Sequence, residues 1–135
     1  MSENKQRLEI VTPQRKVFSE EVDFLVAPGA EGELGILPNH AALITSLNIG
    51  IMRIEQDGKK FKVFVSGGFM EVRNSRVTVL ATAAERTEEI DVARAEAARK
   101  RAEDRIAAKA PDLDLIRAEL ALQRALMRLK AASEK

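Results

Sequence analysis

The sequence predicts a β + α protein, an N-terminal β-sandwich followed by a C-terminal antiparallel two-helix hairpin. All seven glycines and all five phenylalanines lie at or before Phe69. Before that point short apolar runs alternate with turn signals at the spacing of a sandwich or flattened barrel. From Ala81 onward the chain is dominated by alanine, arginine, glutamate and leucine, with a single proline at Pro111. This shift places a boundary near Ala84 to Thr87 and divides the chain into 1–86 and 87–135.

Leu8 to Thr12 is a strand stopped by Pro13. Lys16 to Phe18 and Val22 to Ala27 follow, the latter with Val22, Phe24 and Val26 alternating onto one face. Gly50 to Gln56 and Lys60 to Ser66 flank Asp57-Gly58, a strong two-residue hairpin signal. Phe69 to Arg73 and Arg76 to Leu80 flank the weaker signal Asn74-Ser75. Phe61, Phe64 and Val65 make one of these strands apolar on both faces.

Asp91 to Ala108 consists of strong helix formers without glycine or proline. Ala110-Pro111-Asp112 interrupts it, because proline disfavours the α conformation at the residue before it. Asp112 to Ala132 resumes the helix, with Leu115, Leu122, Ala125 and Leu129 on one stripe and Leu113, Leu120 and Met127 widening it. The short break makes the pair antiparallel. The apolar side of the first helix is mostly alanine, so little area is buried and the hairpin is expected to be weakly docked.

Val26 to His40, VAPGAEGELGILPNH, combines three glycines and two prolines. Pro28-Gly29 is a turn signal. Leu34, Ile36 and Leu37 are expected to be buried, with Glu31, Glu33, Asn39 and His40 facing outward on a shaped surface feature.

Hydrophobic content of 45% and charged content of 32% suit a soluble globular protein, and a formal net charge of +1 offers no global basic field for nucleic acid. Without cysteine there are no disulfides, thiolate nucleophiles or cysteine metal sites. The one histidine, His40, has no second histidine or cysteine with which to hold a metal. Neither G-x-G-x-x-G nor the P-loop pattern is present, so neither catalytic nor metal residues are assigned. The polar N-terminus lacks a signal-peptide core, and no apolar run approaches the roughly 18 residues of a membrane span. The expectation is a soluble intracellular protein whose membrane contact is peripheral.

One charged constellation stands out. Asp91, Arg94, Ala98, Arg101 and Arg105 fall within about 80° on the first helix, and Arg117, Ala121, Arg124 and Arg128 within about 60° on the second. In an antiparallel hairpin Arg94 comes level with Arg128, and Ala98 with Arg124. Like charges gathered in this way favour an anion among them. A splayed, solvated arginine face balanced by glutamates is the alternative.

GELGILPNHA (Gly32 to Ala41), VFSEEVDFLVAPGAEGE upstream and VSGGFMEV (Val65 to Val72) downstream resemble the epsilon subunit of bacterial F-type ATP synthases, in family order from about Leu8 to about Arg128. In some such subunits the hairpin binds ATP through I/L-D-x-x-R-A, a later R-A and arginines on the second helix. Ile90-Asp91-Val92-Ala93-Arg94-Ala95 and Arg101-Ala102 match these elements, Arg124 and Arg128 stand where the remaining arginines belong, and Glu85 matches an upstream acidic position. The resemblance implies a non-catalytic rotor subunit of the central stalk, at the cytoplasmic face of the bacterial membrane. It implies contacts with the gamma subunit and with the polar loops of the c-ring, the latter through Glu31, Glu33 and His40. It further implies a hairpin that extends to the catalytic beta and alpha subunits and inhibits ATP hydrolysis. No cofactor is required; ATP, with Mg, would be a regulatory ligand. A free-standing ATP sensor and an amphipathic adaptor at a membrane surface are the rivals, and co-purification with gamma separates them.

Overall fold

The computed structural model describes residues 4–133. Eight strands precede two helices: β1 (Gln6–Val11), β2 (Lys16–Val22), β3 (Phe24–Gly29), β4 (Gly32–Ile36), β5 (Leu43–Gln56), β6 (Lys59–Arg73), β7 (Arg76–Ala81), β8 (Ala84–Arg86), a 3₁₀ turn (Thr87–Glu89), α1 (Val92–Ala108) and α2 (Leu115–Ser133). The expected sandwich and helix pair are both present.

The strands form one ladder in the order β2-β1-β7-β6-β5-β3-β4, with β8 also paired to β6. Only β1 and β7 run parallel along this path. The sheet folds over on itself and is stitched across the fold by two side-chain amides, buried Gln6 and half-buried Gln56. Gln6 Nε2 donates to Ile36 O at 2.8 Å, and Gln56 Nε2 donates to Glu21 O at 2.9 Å. The interior holds Leu8, Ile10, Leu25, Ile36, Met52, Ile54, Val63, Val65, Met70 and Val79.

A crease crosses the middle of this sheet. In β6 the core-facing residues are Val63 and Val65 before Gly67-Gly68, but Met70 and Val72 after it. β5 makes the same one-residue switch, with Leu47 on one side of Asn48 and Met52 and Ile54 on the other, and Thr82-Ala83 separates Ala81 from Ala84. Pairing between β5 and β6 keeps a single register across the break. The strands therefore turn together and carry the core around the corner. Gly67 and Gly68 have φ of 68° and 115°, conformations that glycine adopts without steric cost. A Cβ on Gly68 would lie 2.0 Å from Leu80 O. Gly68→Ala is expected to lower unfolding stability by about 2 kcal/mol or more, read from the denaturant midpoint.

Gly32–Ile36, read as part of a shaped turn, is a strand paired with β3, because Gly29 and Gly32 close a tight hairpin around Ala30-Glu31. Ile36 is buried as expected, but Leu34 is only half-buried and Leu37 is exposed. Val22 ends β2, and beyond Asp23 it is Leu25 and Ala27 that face the core while Phe24 and Val26 point away from it. The helices are joined by six residues, 109–114, rather than three. Lys109 ends α1 in the left-handed conformation (φ 49°), and Asp114 Oδ1 accepts from Arg117 N at 3.0 Å to open α2 three residues later than expected. Leu115 and Leu120 are exposed.

The buried residues of α1 are Ala95 and Ala102, and those of α2 are Ala118, Ala125 and Ala131. Small side chains bring the helices close together, but each buried methyl contributes only about 0.8 kcal/mol. Only α2 rests broadly on the sheet, over β5 and β6; α1 packs mainly on α2. Among the described residues, no helix is long and apolar enough to cross a membrane.

Candidate functional site

The site lies where the hairpin meets the outer face of the crease. Phe64 points away from the sandwich interior and packs with Ile90 and Ala131, flanked by Ile49, Ile51 and Met127. Glu85 is the ladder partner of Phe64, so β8 carries its carboxylate to the same face. Arg128 descends from α2 between them. Its Nε donates to Glu85 Oε1, and its guanidinium lies over the Phe64 ring at 4.5 Å from the centroid. Two of the site residues expected from sequence are thus in direct contact. Phe64 was not among those residues; its signal was an aromatic on the outward side of a strand that is apolar on both faces.

Asp91 is exposed and caps α1, its Oδ1 accepting from Arg94 N at 3.0 Å. Ile90 and Ala95 are buried. Arg94 and Arg101 are exposed and Arg124 is half-buried. No ion pair joins any of these three to a carboxylate among the described residues. Each immediately precedes a buried alanine, namely Ala95, Ala102 and Ala125. A residue one position before the seam sits about 100° from it, and in antiparallel helices that displacement falls on the same edge of both. Arg128, three positions after Ala125, lies about 60° from the seam on this same edge. Arg94, Arg101, Arg124 and Arg128 therefore share the edge that Arg128 turns toward the sheet. A groove of about 970 Å³ opens beside Ile90, walled by Phe24, Val26, Phe61 and Val92. None of the four arginines lines it.

Glu31, Glu33 and His40 are not gathered at one point. Glu31 occupies the β3–β4 turn, and Glu33 on β4 forms an ion pair with Arg53 (Nη1 to Oε2, 2.9 Å). His40 lies past the other end of β4, its Nδ1 2.7 Å from Ala41 O. Asn39 fastens this end to the β6–β7 turn, its N–H donating to Ser75 Oγ at 2.9 Å. Among the described residues, no cluster of three or more His, Asp or Glu is placed to hold a metal ion.

Residues 5–87 match the family model described as ATP synthase, Delta/Epsilon chain, beta-sandwich domain, and residues 88–133 match the long alpha-helix domain of the same description. The chain belongs to the ATP synthase delta/epsilon family. It is 79% identical over 134 residues to the ATP synthase epsilon chain of Pelotomaculum thermopropionicum, covering 99% of this chain and 100% of that one. Identity to the epsilon chain of Desulforamulus reducens is 62%, over 94% of this chain and 96% of the relative. A chain in the cryo-EM structure of the Euglena gracilis mitochondrial ATP synthase (OSCP/F1/c-ring, rotational state 1) superposes with a TM-score of 0.81 at 28% identity, over 97% of this chain and 82% of that chain. A chain from the Tetrahymena thermophila mitochondrial ATP synthase central stalk and c-ring shares the fold, with a TM-score of 0.60 at 15% identity.

The segment joining the two family domains is itself anchored. Arg15 Nη1 lies 2.9 Å from Glu89 Oε2, and this bond holds the Glu89 carboxyl below its ordinary range, against the opposing effect of partial burial. A depressed carboxylate stabilises the fold above its unfolded pKa and loses that contribution as pH falls through its folded value. Glu89→Gln is therefore expected to be less stable than the parent chain at pH 7. That gap should close on acidification, as followed by denaturant titration across pH.

Proposed function

We propose that the chain is a non-catalytic rotor subunit of the central stalk of an F-type ATP synthase, peripheral to the cytoplasmic face of the bacterial membrane. In this reading the β domain couples the c-ring to the catalytic head. The hairpin inhibits hydrolysis when it leaves the sheet and reaches the beta and alpha subunits, and ATP holds it down. The observation that carries the regulatory part is the hairpin seam. Its buried contacts are all alanine, and its edge carries Arg94, Arg101 and Arg124 without an internal counter-ion. A polyphosphate can satisfy those donors and bind only the paired helices, so it favours the docked state by its differential affinity. Ile90 offers apolar contact to the base.

The sheet supplies a second surface. Phe69 on β6 is paired with Ser46 on β5 and Leu80 on β7, and Ile44 is its diagonal neighbour. Ile44, Phe69 and Leu80 are 73%, 60% and 56% exposed. Such a patch on a twisted sheet suits docking against another subunit, and in this reading the occupant is gamma. Glu31, Glu33 and His40 would face the c-ring loops. Phe69→Glu should reduce co-purification with gamma by at least about tenfold, because a charge would enter a desolvated contact. Undiminished recovery of the complex would remove this face as the gamma contact.

A further inference from the structure

We propose that residues 84–90 are a fixed part of the β domain, locked by Arg86, and that the hairpin pivots at the Ile90–Asp91 link. The pivot rests on the reading that the hairpin leaves the sheet; the lock does not. β8 pairs through Ala84, Glu85 and Arg86 with Val65, Phe64 and Val63. The Arg86 guanidinium then lies against two rings, 5.4 Å from the Phe18 centroid on β2 and 5.5 Å from Phe61 on β6. The rings themselves are 5.5 Å apart, so one cation joins two strands of the folded sheet. Arg86 Nε is buried without a hydrogen bond, its nearest carboxylate oxygen being Glu88 Oε1 at 3.4 Å. Ring contact and the ion pair with Glu88, rather than a hydrogen bond at Nε, therefore hold the group.

The 3₁₀ turn is secured in the same way. Arg86 N donates to Glu89 Oε1 at 2.9 Å, while Glu89 Oε2 pairs with Arg15 ahead of β2. Thr87 Oγ1 lies within hydrogen-bonding distance of Lys62 O on β6, at 3.3 Å, and Ile90 N donates to Thr87 O at 3.3 Å. On the hairpin side the described ties to this segment are fewer: Glu85 to Arg128, Thr87 Oγ1 to Ala131 O at 3.4 Å, and the packing of Ile90 on Ala131. Between the turn and α1 stand only Ile90 (φ −73°, ψ 123°) and Asp91 (φ −82°, ψ 97°), both extended and outside any helix or strand. Rotation about these bonds releases α1 without breaking a ladder bond or the Arg86 stack.

Hydrogen exchange of the full-length chain, followed by NMR, tests the lock. Ala131→Glu places a charge at a fully buried α2 position against Phe64 and should expel α2 from the sheet. Expected are α2 amides exchanging at least about tenfold faster, with the amides of Arg86 and Ile90 within about threefold of the parent chain. Arg86→Ala should do the reverse at the linker, accelerating exchange at positions 86 and 90 by about tenfold while β1 and β7 keep their protection. Should Ala131→Glu leave α2 docked, Arg86→Ala decides alone. Linker amides that follow α2 in Ala131→Glu, or stay unchanged in Arg86→Ala, would overturn the lock. Failure of ATP to control the hairpin would leave these exchange patterns intact, so the two readings fail separately.

Discussion

A chain ending at Ile90 should fold, bind gamma and support coupled ATP synthesis, yet no longer inhibit ATP hydrolysis. The expectation of folding rests on the core. Every residue of the main cluster, from Leu8 to Ala84, is supplied by the strands, and none by α1 or α2. What truncation uncovers is the Phe64 face, with Ile49 and Ile51, which costs solubility before it costs the fold. The apolar patch of Ile44, Phe69 and Leu80 is untouched. Hydrolysis by the reconstituted complex should rise to the rate seen without this subunit, with proton-coupled synthesis retained. Equal inhibition by the truncated and whole chains would place the inhibitory element in the sheet.

Replacing one arginine of the hairpin edge should weaken ATP binding about 10- to 100-fold, since a charge-assisted hydrogen bond contributes about 1.5–3 kcal/mol. Calorimetry on Arg94→Ala and Arg124→Ala measures this directly. Both side chains are partly or fully exposed and neither has a carboxylate partner, so their loss should leave stability nearly unchanged. Arg128→Ala differs, because it also leaves Glu85 without its cation and Phe64 without its cover. Equal ATP affinity in the parent chain, Arg94→Ala and Arg124→Ala would identify the edge as a solvated arginine face. Absence of binding at millimolar ATP would leave a hairpin governed by mechanical contacts alone.

Much of the architecture was legible because it is encoded locally. Asp57-Gly58 has the φ values of a tight hairpin, 51° and 80°, as its residue types require. Alanine-rich helices on either side of Pro111 need no distant partner to be recognised. The arginines, too, could be placed on helix faces by period alone. Less legible was Leu43 to Ile49, which lacks strong turn signals at its start and continues directly into the rest of β5. Gly67-Gly68 reads as a strand break, yet β6 runs through it for fifteen residues, because positive φ turns the strand without ending its pairing.

Composition and pattern alone revealed the class of each half and the alanine seam between the helices, while the motif at Ile90 to Ala95 was legible only through its resemblance to a family. The class of each half and the alanine seam depend on composition and on periods of two or 3.6 residues, which need no knowledge of distant neighbours. Which groups meet is a product of the folded sheet: Arg128 with Glu85 and Phe64, and Arg86 with Phe18 and Phe61. These contacts span from 25 to 68 positions of chain, for example Arg86 to Phe61 and Arg86 to Phe18. They exist because the crease folds one sheet over and leaves Phe64 facing a helix and Phe61 facing an arginine. Side-chain direction beyond the crease depends on a one-residue switch of face that no local pattern announces.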